Sequence, residues 1–212
     1  MRRGVRVLCT ALIPVALAAC AAGRRGLAPD PRLGDQPRRW SSASRSPIAL
    51  WVDSSAGTPG WRPEFADIVA DAATEWSSAD VPVRFVRAAA PELADVRVHW
   101  KRWQPGTARG ATTRWANARG EIVGADVTIV LARCRSGPVS SPRELRAIAL
   151  HELGHALGLP HDPSRESIMY WETGPLSLTD HDLNALRAAY HVPPRPAAPV
   201  DVGLVSARGG RD

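Results

Sequence analysis

The run His151-Glu152-Leu153-Gly154-His155-Ala156-Leu157-Gly158-Leu159-Pro160-His161 constrains this chain more than any other stretch of its 212 residues. Upstream, Ser141-Pro142-Arg143-Glu144 reads as a helix start: a serine cap, proline at the first helical position, and glutamate three residues after the cap. Leu145, Ile148 and Ala149 continue it as an apolar run. On such a helix His151 and His155 project from one face about 6 Å apart along the axis, which suits two imidazoles on one ion. Glu152 lies roughly 100° round from His151, beside the metal without facing it, where a base for a metal-activated water belongs. Gly158 is placed to take the left-handed conformation that ends a helix, and the turn brings His161 back as third ligand. Three neutral imidazoles leave the fourth position of a zinc ion open, the arrangement of a catalytic site.

A bare H-E-x-x-H arises by chance in about one chain in a hundred of this length; a glycine and a third histidine at fixed spacing make the match several hundredfold rarer, at roughly one in tens of thousands. That sets aside a surface helix with incidental histidines.

The surrounding pattern supplies a scaffold. Ile48 to Val52 reads as a strand, and a helix follows from about Pro63 to Ser77, with Phe65, Ile68, Val69, Ala72 and Trp76 on one stripe. Val83 to Arg87 and Val96 to Trp100 alternate apolar with polar residues, as half-buried strands should. Ala111 to Ala116 reads as a short strand, Asn117-Ala118-Arg119-Gly120 as a turn, and Ile122 to Leu131 as a further strand. The order predicts an α+β domain: a twisted mixed five-stranded sheet with an N-terminal helix, the helix of the histidines and a C-terminal helix.

Charge marks out the ends. The formal balance is +6, yet nine of the 27 basic residues precede Ser46, and from there 18 basic residues face 19 acidic ones. The folded part is therefore near neutral, which argues against nucleic acid as a partner. Met1 to Arg6 is basic and Val7 to Ala19 apolar, the pattern of an export signal. It ends in Leu17-Ala18-Ala19-Cys20, which resembles the lipobox of bacterial lipoproteins, and the resemblance implies cleavage before Cys20 and a lipid on its sulfur. An ordinary signal peptide with an incidental cysteine is the other reading. Residues 1–19 are thus expected to be a signal, 20–46 a lipidated cysteine and a flexible Pro-, Arg- and Ser-rich tether, 47–192 the domain, and 193–212 a disordered Pro-rich tail. The expected location is the bacterial cell envelope, on the membrane's periplasmic or extracellular side, with a basic tether beside anionic headgroups. With Cys9 removed and Cys20 lipidated, Cys134 has no disulfide partner and is expected to be buried or half-buried.

Eight residues past His161 come Ser167-Ile168-Met169-Tyr170. Histidines so spaced, followed by such a methionine, resemble the metzincin pattern, and the Met-Tyr pair is similar to its matrixin branch, which contains the matrix metalloproteinases. Leu178-Thr179-Asp180-His181-Asp182-Leu183, with Leu186 and Tyr190, resembles that family's closing helix, and Ala94-Asp95-Val96-Arg97-Val98 its third strand. The resemblance implies that Met169 floors the metal and that Asp182 ties the closing helix to the turn around Met169. It also implies that the Ala111–Ala116 strand, with Thr113 and Trp115, pairs with an extended substrate, and that Tyr170 and Trp171 wall the pocket past the scissile bond. Trp103 and Trp115 are expected to pack in the core, with aromatic contact near the cleft as the alternative use. His181 stands where the family has the first of paired aspartates, no blocking cysteine motif precedes the domain, and the histidines of a second, structural zinc are missing. One zinc per chain is therefore expected, with no cysteine-switch zymogen. Calcium is compatible with the family but indicated by no residue here. His99, His181 and His191 are expected to be solvated or locally hydrogen-bonded.

The activity implied is hydrolysis of peptide bonds in protein or peptide substrates by a monomeric zinc endopeptidase, with water activated by Glu152. The rival readings are a zinc-binding lipoprotein without catalysis and a zinc amidase acting on cell-wall peptides.

Overall fold

The computed structural model describes residues 38–40, 47–54, 57–172 and 174–192. Cys20, the apolar run before it, most of the stretch read as a tether and the Pro-rich tail lie outside the described residues.

Five strands form one mixed sheet: β1 (Ile48–Val52), β2 (Phe85–Arg87), β3 (Val96–Lys101), β4 (Gly110–Ala116) and β5 (Ile122–Val130), in the order β2-β1-β3-β5-β4. All neighbours run parallel except β4, which pairs antiparallel with β5 and forms one edge of the sheet. The turn joining β4 to β5 follows from its residues. Asn117 Oδ1 accepts from the backbone N–H of Arg119 (2.9 Å) and Glu121 (3.0 Å), and Gly120 takes a φ of +75° that its missing Cβ makes inexpensive.

Helix α1 (Glu64–Ser77) buries Phe65, Val69, Ala72, Ala73 and Trp76, the stripe its periodicity predicts, with Glu64 and Asp67 favourably placed in its positive first turn. Helix α2 (Pro142–Leu157) lies across β4 and β5 and packs against α1. Trp76 of α1 is buried there, and its indole N–H donates to Leu150 O of α2 at 2.8 Å, so its one polar atom is satisfied. Glu75 and Arg146 form an ion pair between the same two helices. Helix α3 (Asp180–Ala189) closes the domain.

Four expectations change. The second strand is shorter than its alternation suggested: Val83 is buried, but pairing with β1 starts only at Phe85. The fold also begins earlier than residue 47. Trp40 is 3% exposed, bridges to Ile122 in parallel, and donates its indole N–H to Ala156 O at 3.0 Å. A lone apolar residue in a Pro- and Arg-rich stretch has no periodicity to betray it. Cys134 is exposed, because the buried run ends at Ala132 and Cys134 sits in a turn, its carbonyl accepting from Gly137 N. Trp103 and Trp115 are half-buried and outside the core; Trp103 instead carries the Arg135 guanidinium over its ring at 5.1 Å.

Candidate metal centre

The helix of the histidines starts and stops where its residues direct. Ser141 Oγ accepts from Glu144 N (3.3 Å) while Glu144 Oε2 accepts from Ser141 N (2.9 Å), a reciprocal cap that also holds the Glu144 carboxyl below its usual range. Gly158 ends the helix with a φ of +109°. A side chain there would be strained, and its Cβ would also strike the Arg38 carbonyl, since Arg38 N donates to Gly158 O at 3.0 Å.

The three histidines converge. His155 Nε2 lies 3.1 Å from His151 Nε2 and 3.3 Å from His161 Nε2. Two nitrogens on one tetrahedral zinc at the usual bond length stand about 3.3 Å apart, so the spacing fits that ion. The opposite ring nitrogens determine which lone pairs are offered. His151 Nδ1 donates to Ile168 O (2.7 Å) and His155 Nδ1 donates to Leu159 O (2.8 Å), which leaves both Nε2 atoms bare and aimed at the common centre. Burial lowers both rings' affinity for protons, His155 to about 3, and keeps them in the neutral form a metal needs. Among the described residues this is the one group of three or more such side chains placed to hold a metal ion.

The turn around Met169 supports the first ligand through its backbone. Asp182 is fully buried on α3; its Oδ1 accepts from Ser167 Oγ (2.6 Å) and Ile168 N (3.0 Å), and its Oδ2 from Thr179 N (2.9 Å). The Ile168 backbone thus accepts a hydrogen bond from His151 at its carbonyl and donates one to Asp182 from its N–H. Met169, 2% exposed, presses against the helix at Gly154. His181 does not take up the role of an acid. It pairs with Asp162 Oδ2 at 2.9 Å, beside the third ligand, in keeping with local hydrogen bonding. His99 is half-buried with its ring edge-on to Trp51, and His191 is exposed.

Glu152 lies on the β4 side of the helix. It is 5% exposed, and burial pushes its carboxyl up to about 7 although a hydrogen bond from Thr112 acts in the other direction. Thr112 Oγ1 stands 2.6 Å from Glu152 Oε2, and Gly110 leaves room for the carboxylate where any Cβ would collide with it. Sequence reasoning missed Thr112, Gly110, Gly154 and Asp162. Period-two alternation could have found the first two together once one of them was known to face α2.

The substrate-side residues are divided. Arg114 of β4 donates to His155 O at 3.3 Å, so Gly110, Thr112 and Arg114 share the face toward α2, and Thr113 and Trp115 point to the opposite face. The structure does not bring those two to the histidines. Tyr170 is buried, and its ring stacks against that of Trp171, 4.5 Å away and 55% exposed.

Comparison with known proteins agrees with this geometry. A family model described as matrixin matches residues 59–191. A protein of Glycine max named metalloendoproteinase 1 is 36% identical over 61 residues, a match spanning 27% of this chain and 20% of that relative.

Proposed function

Because this chain belongs to the matrixin family, we propose that it is a zinc-dependent endopeptidase that cleaves extended polypeptides. The observation that carries the proposal is the convergence of three histidine Nε2 atoms within 4.8 Å of one another, with the Glu152 carboxyl on the adjoining face of the same helix.

His151, His155 and His161 would hold the ion, which when bound acidifies water and polarises a carbonyl oxygen. Glu152 would take the proton of the attacking water and pass it to the nitrogen of the departing amine. Its burial favours the neutral carboxyl, which makes it a stronger base than an exposed glutamate. The outer edge of β4 would pair with the substrate backbone, and the exposed Trp171 would offer an aromatic surface to a side chain. We also propose export with a lipid on Cys20; a Cys20→Ala protein should appear in the soluble fraction of labelled cells while wild type partitions with membranes.

The test of function uses purified protein with casein and, separately, purified cell wall. Casein should be degraded, chelation should stop it, and Glu152→Ala should remove at least 10²-fold of the rate. Casein degradation that survives Glu152→Ala would reject the mechanism. Cleavage of cell wall alone would reject the protease reading in favour of an amidase.

A further inference from the structure

Edge strand β4 docks on α2 through three residues of one face, and the middle one meets the catalytic carboxyl. Gly110 supplies space for the Glu152 side chain, Thr112 reaches its carboxylate, and Arg114 reaches the His155 carbonyl. Thr112 Oγ1 has two neighbours: Glu152 Oε2 at 2.6 Å and the Glu152 backbone carbonyl at 3.0 Å. A hydroxyl has one proton to donate and lone pairs to accept with. Its proton therefore satisfies one of these acceptors at a time. The 2.6 Å separation suits a hydroxyl–carboxyl bond in either direction, from Thr112 to an ionised carboxylate or from a protonated carboxyl to Thr112 Oγ1.

A base at work passes through both of its states in each turnover. With Glu152 ionised, the Thr112 hydroxyl donates to Oε2. With the proton on Oε2, the bond reverses: Glu152 donates to Thr112 Oγ1, and the threonine proton turns to the Glu152 carbonyl. Neither state leaves a buried polar group unpaired, which would otherwise cost much of the group's desolvation free energy. An alanine or valine at 112 offers neither bond, and the carboxyl would be free to swing from its place between the strand and the helix.

We propose that Thr112 is a positioning residue for Glu152, its hydroxyl holding the carboxyl in one place across both protonation states. This rests on the reading of Glu152 as the base. Thr112→Val keeps the volume and removes the hydroxyl; Thr112→Ser keeps the hydroxyl and removes the methyl. Cleavage of a quenched peptide by the zinc-loaded proteins should show kcat about tenfold or more lower in Thr112→Val, part of the 10²–10⁴ that a placed base supplies. KM should change less than about twofold, zinc content should stay as in wild type, and Thr112→Ser should recover most of the lost kcat. A Thr112→Val enzyme with wild-type kcat, a loss confined to KM, or an equal loss in Thr112→Ser would overturn the proposal. A readout without turnover accompanies it: denaturation midpoints of Thr112→Val, Glu152→Gln and the double variant should be non-additive, and strict additivity would count as refutation. Should Thr112→Val not fold, the Thr112→Ala and Thr112→Ser pair carries the same comparison. If wild type itself has no peptidase activity, or keeps it in Glu152→Ala, the functional reading has failed instead, and the additivity of the midpoints still decides whether the hydroxyl and the carboxyl are coupled.

Discussion

Gly154 and Met169 divide one space between them: a Cβ on residue 154 would overlap Met169 Sδ and stand 3.0 Å from the Trp76 ring. Any side chain at 154 would therefore have to displace Met169 or the Trp76 ring. Gly154→Ala should gain up to about 1 kcal/mol in helix propensity and lose about 1–3 kcal/mol to overpacking. The expected net result is a lower thermal midpoint and weaker metal binding. Trimming the other partner, in Gly154→Ala with Met169→Ala, should cost less than the sum of the two single changes. Additive midpoints would mean that the two residues do not compete for the same volume.

Removing the metal should reduce stability as well as activity. An ion held at a hundred times its Kd stabilises the folded state by about 2.7 kcal/mol, so a chelator should lower the midpoint by several degrees and one equivalent of zinc should restore it. Elemental analysis of the purified protein should give one zinc per chain, since the described residues form one three-histidine group. Two per chain would show that a second site exists.

The Glu152 carboxyl makes the metal-free protein pH-sensitive in a definite direction. Its ordinary value is 4.5, and burial raises the folded value to about 7. Between these values the folded protein holds a proton that the unfolded chain has released. The stability this group contributes is therefore complete below 4.5 and is lost as pH rises through about 7. Glu152→Gln, neutral throughout, should raise the midpoint of the metal-free protein at pH 8 relative to wild type, with little difference near pH 4.5. A shift of equal size at both would trace the effect to packing.

Asp182 joins α3 to the first ligand through the backbone of Ile168, bonded at its N–H to Asp182 and at its carbonyl to His151. Asp182→Ala would leave the Ser167 hydroxyl and the Ile168 and Thr179 N–H groups without their acceptor, at a cost of about 3 kcal/mol or more. Zinc affinity should fall about 10–100-fold, the range for losing support behind a ligand. Isothermal titration with zinc and urea denaturation would measure both; unchanged affinity would show that Ile168 holds His151 without help from α3.

The strands and helices that the histidine site needs were legible because their signals are local. Ser141 and Glu144 meet across one turn of helix, Gly158 needs only its own backbone freedom, and alternation along Val96–Lys101 reports a half-buried strand whatever lies beside it. Trp40 and Cys134 were misread because burial of an isolated residue depends on what distant chain covers it. Thr112 was missed in favour of Thr113 because a shift of one residue along a strand reverses the face. Sequence marks the alternation without saying which of the two faces meets α2.

What the sequence determined by itself is the chemistry of the centre: three imidazoles and a carboxylate spaced at 151, 152, 155 and 161 on a capped helix and its reversing turn, because helical geometry places such neighbours whatever surrounds them. Tertiary structure alone decided the supports. That the Thr112 hydroxyl holds the base, that the Ile168 carbonyl holds the first ring and that Met169 meets the helix at Gly154 depend on residues 40, 17 and 15 positions apart meeting across packed elements, and no helical spacing encodes those contacts.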